Sequence, residues 1–174
     1  MKKILIKILC VFLCAQASNA VAETADLKIL GWLENAFLPG PGLQIKAKLD
    51  TGAETSSLDA LVIKKFKKGG KRWVRLALLD RDSGKEYILV QERVRTIGVV
   101  QHDGSRQTRP VVLIEVCIGG QNLITEVSLI DRSEFNYPLL LGRSALASFA
   151  LVDPGSMFLG EPGCVPDSKQ VSEP

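Results

Sequence analysis

The residues best suited to chemistry form the triplet Asp50, Thr51 and Gly52, which opens a run of small and hydroxylated residues ahead of Leu58. A carboxylate can hydrolyse a peptide bond without metal or histidine when it shares one proton with a second carboxylate. Such a pair needs a tight turn, which Gly52 permits, and Thr51 offers a hydroxyl to hold the loop. The alternative is a strand-ending turn in which Asp50 makes only local hydrogen bonds.

Other common catalytic groups are scarce in this chain. Its one histidine, His102, lies in a turn-like segment, whereas a zinc peptidase of the HExxH type needs two histidines one helical turn apart. Serine and cysteine triads also need a base beside the nucleophile. The glycines before Lys71 lack the GxxxxGK[ST] spacing that binds nucleotide phosphates. We therefore expect no metal, no cofactor and a solvated His102.

The N-terminal segment has the pattern of a secretory signal peptide. Three lysines and the apolar run Ile8–Leu13 precede small residues, so cleavage fits after either Ala20 or Ala22. The alternative is an uncleaved membrane anchor, but the apolar run is much shorter than the roughly 20 residues that span a bilayer. We expect residues 1–22 to be a signal peptide, the protein to be periplasmic, and no stable membrane anchor to remain after cleavage.

Loss of this segment changes the charge and the cysteine content. Residues 1–22 hold three of the 22 basic residues and no acid, which leaves 19 basic against 19 acidic residues. This near-neutral balance gives no argument for binding nucleic acid or anionic lipid, and we expect no nucleic-acid partner. Cys117 and Cys164 remain, either as one disulfide or as a buried Cys117 and a free Cys164.

Alternating apolar and polar residues predict one mainly β domain over residues 23–160. The clearest strand runs from Leu43 to Leu49 and leads directly into Asp50. One short helix is predicted at Arg143–Phe149, beginning at Arg143 paired with an acid. Residues 161–174 are expected to form a flexible tail. Further strands are predicted at Leu27–Leu33, Trp73–Leu79, Glu86–Val94, Val111–Ile118 and Leu123–Ile130.

Two segments together resemble a known family. The loop Asp50–Ala53, which follows an amphipathic strand, resembles the active-site loop of retropepsin-type aspartic peptidases. Downstream, Leu140–Gly142 and the helix after it resemble the segment that packs behind that loop, and the two matches occur in the family's order. The resemblance implies a retropepsin-like closed β-barrel, of the acid-protease half type, with one short helix after Gly142.

A bacterial subfamily labelled ATP-dependent zinc proteases is a closer match. Its pattern is similar to Ile45–Ala53, to Arg132 through Arg143 and to Val152–Pro154, so the resemblance covers most of the chain after the signal. The zinc and ATP of that label find no supporting residues here. Members often have histidine where this chain has Asp59, and some act beside a cytosolic glutamate-ligating enzyme, whereas this chain has an export signal.

The resemblance implies a catalytic role for Asp50. It assigns support of the active-site loop to Thr51, Gly52, Ala53, Thr55 and Ser56, and packing behind the loop to Leu140, Leu141 and Gly142. Because the triplet occurs once, a second acid must come from a homodimer partner or from the same chain. The same-chain candidates have simpler interpretations, since Asp59 is too near in sequence, Asp131 fits a surface ion pair with Arg132, and Asp153 fits a turn.

A retropepsin-like enzyme also needs a mobile hairpin over its substrate. Candidate hairpin tips are Gly69-Gly70, Asp82–Gly84 and Asp103-Gly104, and the sequence does not choose among them. Our sequence hypothesis is an exported aspartic endopeptidase that acts on a peptide or protein substrate as a homodimer. The alternative is a non-catalytic periplasmic domain that keeps the fold to bind a peptide or protein.

Overall fold

The structure is a computed structural model that describes residues 27–100, 104–161 and 164. The predicted signal peptide, His102, Asp103 and most of the predicted tail lie outside these residues. In the described part of the chain the elements are β1 (Lys28–Leu38), β2 (Leu43–Leu49), β3 (Ser56–Asp59), β4 (Leu61–Lys68), β5 (Lys71–Leu79), β6 (Glu86–Val100), β7 (Arg106–Ile118), β8 (Gln121–Ile130), β9 (Leu139–Leu141), α1 (Arg143–Leu146) and β10 (Ala150–Met157).

The strands form one continuous sheet in the order β10-β1-β2-β9-β3-β8-β7-β6-β5-β4. An additional pairing of β1 with β7, at Ala36 and Phe37, closes six of them into a ring: β1, β2, β9, β3, β8 and β7. The predicted mainly β class with one short helix after Gly142 is confirmed. Strands β6, β5 and β4 extend outward from β7, so they form a separate arm of the sheet.

Strand β2 forms because its side chains alternate in polarity. Leu43, Ile45, Ala47 and Leu49 are buried, while Gln44 and Lys46 are exposed, as the period of two predicts. Complete burial of one leucine stabilises the fold by about 1.5–3 kcal/mol. This buried face fixes the register of β2, and therefore the position of Asp50 at its end.

Several elements differ from the sequence prediction. Helix α1 ends at Leu146 rather than at Phe149, because the buried Phe149 turns the chain into β10 and its carbonyl accepts a hydrogen bond from the Lys28 amide (2.8 Å). Residue Asp153, predicted in a turn, lies within β10. A local Gly155 amide–Asp153 Oδ1 hydrogen bond (2.8 Å) accompanies a register shift of β10 against β1 at this point.

Strands β3, β4, β9 and β10 were not predicted, and β3 and β9 lack the usual strand signal. Strand β3 contains Ser56 and Ser57, both buried, and strand β9 has only three residues. Pairing decides both cases, because β3 lies between β8 and β9 in the sheet. Tertiary pairing therefore outweighs local strand propensity here.

The end of the described chain is held against β1 and β7. Glu34 is buried and its carboxylate accepts hydrogen bonds from the amides of Gly31 (2.6 Å), Leu159 (2.9 Å) and Gly160 (3.1 Å). Cys117 and Cys164 form a disulfide with Cα atoms 5.7 Å apart, which selects one of the two predicted alternatives. In the described residues, no helix is long and apolar enough to cross a membrane.

Candidate active site

Asp50 lies where β2 ends, and the backbone around it is held on two sides. Its amide donates to the carbonyl of Leu141 (2.9 Å), which continues the parallel pairing of β2 with β9. Its carbonyl accepts from the amide of Ala53 (3.2 Å), which closes the turn. Since β9 lies between β2 and β3, the loop from residue 50 to residue 55 must pass around the end of β9.

The Asp50 carboxylate has two hydrogen-bond donors. Its Oδ1 accepts from the Gly52 amide (3.0 Å), and its Oδ2 pairs with Lys48 Nζ (3.1 Å). Partial burial raises the pKa of Asp50, but the Lys48 and backbone contacts outweigh that effect and leave the pKa below its ordinary value. The side chain remains 25% exposed, so this ionised carboxylate is accessible. The role of Lys48 was not predicted, although its position two residues earlier on the polar face of β2 is a readable signal.

Gly142 packs directly behind the loop. Its amide donates to the buried Ser56 Oγ (3.1 Å), which explains a hydroxyl at that position. A Cβ at Gly142 would lie 2.8 Å from the Thr55 carbonyl carbon and oxygen, so only glycine allows this approach. Gly142 is therefore in direct contact with Thr55 and Ser56.

Arg143, the next residue, also binds the loop. Its Nη1 donates to the carbonyls of Thr51 (3.0 Å) and Gly52 (2.9 Å), and its amide donates to the carbonyl of Ala53 (2.9 Å). The expected partner was an acid, and that expectation is wrong, because the loop presents carbonyl oxygens to the helix start. The next residue extends the contact, since the Ser144 amide and Oγ both donate to the Glu54 carbonyl.

The remaining predicted residues divide between loop and core. Thr51 and Gly52 are exposed, and Ala53 and Thr55 are half-buried. Leu141 is fully buried, but Leu140 is only half-buried, because the central residue of β9 points to the opposite face.

The three same-chain acids make contacts of their own. Asp59 accepts from Arg81 Nη2 (2.6 Å) and from the Arg132 amide (2.7 Å). Asp131 accepts from the Ser133 amide (2.9 Å), and Asp153 from the Gly155 amide. These local bonds lower the pKa of both Asp131 and Asp153.

The predicted surface ion pair of Asp131 with Arg132 is wrong. Arg132 is 7% exposed and donates to Ser57 Oγ (2.8 Å) and to the Tyr137 carbonyl (3.1 Å). Its guanidinium also lies 4.5 Å from the ring centre of Phe135. Arg132 therefore joins β3 to the segment that leads into β9, and no local sequence pattern indicates its burial.

A groove of about 350 Å³ lies beside the loop. Glu54, Thr55 and Ser144 form its loop side, and Arg95 of β6 and Leu113 of β7 form part of its other side. Of the three candidate hairpins, the one between β6 and β7 thus contributes strands to this groove. Its predicted tip includes Asp103, outside the described residues, so the choice of a covering hairpin stays a prediction.

The donor side chains of the described residues bear on whether the protein could hold a metal ion. The described residues contain no group of three or more histidine, cysteine or acidic side chains placed to hold a metal ion. The zinc implied by the subfamily label therefore has no fitting ligand set in the described part of the chain.

The strand order around Asp50 and the glycine behind its loop define a retropepsin-like domain. The chain belongs to the RimB-like family, described as retropepsin-like aspartic endopeptidase RimB, which it matches over residues 29–162. The family resemblance drawn from the two motifs is confirmed.

Relatives with other names also match. A probable alpha-L-glutamate ligase from Shewanella pealeana is 35% identical over 139 residues, which cover 78% of this chain and 30% of that protein. A protein of the same name from Parasynechococcus marenigrum is 35% identical over 137 residues, which cover 76% of this chain and 29% of that protein. This chain thus spans less than a third of the length of these curated relatives.

A solved structure has the same fold. A Legionella pneumophila protein of unknown function (DUF785) is 34% identical and superposes with a TM-score of 0.67. The match covers 76% of this chain and 98% of that chain.

Proposed function

We propose that this protein is an exported aspartic endopeptidase that cleaves peptide bonds with a water activated between two aspartates. One observation carries the proposal: the Asp50 carboxylate stays accessible on a loop whose backbone is fixed by Leu141, Gly142 and Arg143. Fixed carboxylates near an open surface are what acid–base hydrolysis requires. Membership of the RimB-like family supports the same reaction class.

The second aspartate is Asp50 of another copy in a symmetric homodimer. The triplet occurs once in the chain, and Asp59, Asp131 and Asp153 each bind other groups. Two such carboxylates in contact share one proton, because their like charges cannot both be accommodated. Each Asp50 has the same Lys48 and Gly52 contacts, which favour the ionised form, so either member can be the ionised carboxylate while the other holds the shared proton.

The reaction then follows from these two protonation states. The ionised carboxylate takes a proton from the water molecule while the water oxygen attacks the peptide carbonyl carbon. At the same time the neutral carboxyl group protonates the carbonyl oxygen. Proton transfer to the peptide nitrogen releases an amine, and the carbonyl carbon becomes a carboxylic acid. No metal or cofactor is needed for this sequence.

A second candidate function is non-catalytic binding of a peptide or protein. The Lys48–Asp50 ion pair (3.1 Å) favours it, since a carboxylate paired within its own chain can hold the loop without doing chemistry. In this case Asp50 is a structural residue, and the groove beside Thr55 and Ser144 is the binding surface.

Cleavage of a peptide library between about pH 4 and pH 8 separates these candidates. We expect the unaltered protein to cleave and Asp50→Asn to be inactive while it keeps the same circular dichroism spectrum. Equal activity in the two proteins, or none in either at any pH, would remove the peptidase proposal. Asp153→Asn serves as the matched control, because Asp153 lies in β10, outside the Asp50 loop, and accepts a local hydrogen bond from the Gly155 amide.

Sedimentation tests the homodimer separately. We expect activity to fall on dilution in parallel with loss of the dimer. A protein that is active as a strict monomer would contradict the two-chain site and direct attention to a second acid of the same chain. Export is tested by fractionating cells and sequencing the N-terminus, where we expect periplasmic protein that begins after Ala20 or Ala22.

A further inference from the structure

The charge of this protein is concentrated in one hairpin. Strands β4 and β5 with their turn, Leu61 to Leu79, carry seven lysines and arginines and no acid, although residues 23–174 as a whole carry 19 of each sign. The hairpin lies at the far end of the sheet, where β4 is the edge strand. The net charge of residues 23–174 is therefore close to zero, although this arm is strongly cationic.

The two faces of this arm differ in burial. Val74, Leu76 and Leu78 of β5 point to the core and are at most 2% exposed. The residues between them point the other way, onto what we call the outer face. The outer face contains Leu61, Leu79, Ile88 and Val90, which are 46–66% exposed and lie close together through the pairs Leu61–Ala77 and Ala77–Ile88.

Cations lie beside these exposed aliphatic side chains on the side of the hairpin turn, and Glu86, the cross-strand neighbour of Leu79, lies on the other side. Lys64 and Arg75 are cross-strand neighbours on the outer face, and Arg75 is also paired with Val90. Lys68 and Lys71 form the next pair of cations toward the hairpin turn. Glu92 also lies on this face, where Lys71 Nζ binds its carboxylate (2.7 Å). The surface thus combines exposed aliphatic groups with an excess of positive charge.

We propose that the outer face docks reversibly on a membrane that contains anionic lipids. Aliphatic side chains enter the boundary between headgroups and acyl chains, while lysines and arginines remain at the headgroups. Such association is peripheral, so it needs no membrane-spanning segment. It is independent of the proposed hydrolysis, because no outer-face residue belongs to the Asp50 loop.

Other occupants fit the outer face less well. A second copy in symmetric contact would place the cations of both arms against each other, which like-charge repulsion opposes. Single-stranded nucleic acid binds on exposed aromatic rings, but Phe66 and Trp73 are half-buried and the Trp73 indole donates to the Lys68 carbonyl (3.2 Å). Protein interfaces are depleted in lysine, which is abundant here.

The test is flotation of the protein with vesicles of phosphatidylcholine alone or of phosphatidylcholine with phosphatidylglycerol. We expect binding to the anionic vesicles that weakens with salt. Lys64→Glu with Arg75→Glu should weaken this binding at least about tenfold. Because both cross-strand neighbours reverse together, their mutual repulsion is unchanged and the fold should be retained, as circular dichroism will check. The matched control, Lys46→Glu with Arg106→Glu, has the same net charge and should bind like the unaltered protein.

A second variant tests the aliphatic part. Leu79→Ser with Val90→Ser keeps every charge, and we expect weaker binding to anionic vesicles. Equal binding to both vesicle types, equal loss in the control, or full binding by both outer-face variants would overturn the proposal. The vesicles could instead bind neither the unaltered protein nor the serine variant, while a nucleic acid or an acidic peptide binds the serine variant at full strength. That result would identify the nucleic acid or peptide, rather than the lipid, as the partner of the outer face. All variants share one N-terminus, so the comparison isolates the arm.

Discussion

Gly142 lies against the backbone of Thr55 so closely that an added Cβ would sit 2.8 Å from its carbonyl group. Gly142→Ala must push β9 and the Asp50 loop apart, and we expect the free energy of unfolding to fall by about 1–3 kcal/mol. Urea denaturation measures this. The control is Gly40→Ala, where nothing lies within 4 Å of the added atom and stability should barely change. Equal effects at the two glycines would contradict the packing argument.

Arg143 holds the loop through two carbonyl oxygens at once. Arg143→Lys keeps the charge but loses the planar arrangement of donors, so the loop should become more mobile. We expect faster amide hydrogen exchange at Asp50–Ala53 and, if the protein is a peptidase, a fall in kcat. Because Arg143 is exposed, global stability should change by less than about 1 kcal/mol. Arg106→Lys is the control. Unchanged hydrogen exchange at the loop in Arg143→Lys would contradict the contact between Arg143 and the loop.

Lys48 lowers the pKa of Asp50, so Lys48→Met should raise it. A depressed native pKa stabilises the fold above the unfolded value near 3.8 and loses that contribution as the pH falls through the native value. The variant should therefore lose less stability than the unaltered protein when the pH is lowered below about 4. Carboxyl NMR titration measures the pKa directly, with Lys46→Met as control. An unshifted Asp50 titration would show that the ion pair is absent in solution.

Arg132 is buried between Ser57, Tyr137 and Phe135. Burial lowers its pKa, and the neighbouring Asp59 carboxylate acts in the opposite direction. Arg132→Met removes these contacts and leaves Asp59 without that charge, so unfolding should become easier by about 2–4 kcal/mol. The exposed Arg106→Met should change stability by less than about 0.5 kcal/mol. Similar values for the two would refute the buried role of Arg132.

The disulfide between Cys117 and Cys164 closes a loop with a sequence separation of 47. Cys164→Ser should lower the free energy of unfolding by up to about 4 kcal/mol, because the unfolded chain regains its freedom. Dithiothreitol should bring the unaltered protein to the same value and leave the variant unaffected. A reductant effect on the variant, or none on the unaltered protein, would contradict the bond.

The sequence predicted the elements whose signal is local. Alternation from Leu43 to Leu49 placed β2 at its observed bounds, and the small residues after Asp50 indicated the loop. The pairing of Gly142 with that loop was inferred from a family resemblance rather than from spacing, because contact between segments so far apart has no periodic signature in a single chain.

The missed elements depend on pairing partners. Ser56 and Ser57 have weak strand propensity, and they become a strand only because β8 and β9 lie on either side. Arg132 reads as a surface residue, yet acceptors from Ser57 and Tyr137 make its burial favourable. Lys48 differs, because its position two residues before Asp50 is visible in the sequence, whereas its ion pair with Asp50 depends on side-chain geometry at the end of β2.

The position of β9 between β2 and β3 determines when the Asp50 loop can reach its final structure during folding. Ser56 and Gly142 are separated by 86 residues, so the backbone that fixes the Asp50 loop is synthesised long after the loop itself. Until then β2 and β3 present unpaired edges to the space that β9 will fill, and closing so long a loop is slow. A chain in which β9 has not yet formed therefore has the aspartate without its bracing, and the carboxylate geometry is complete only once β9 pairs with β2.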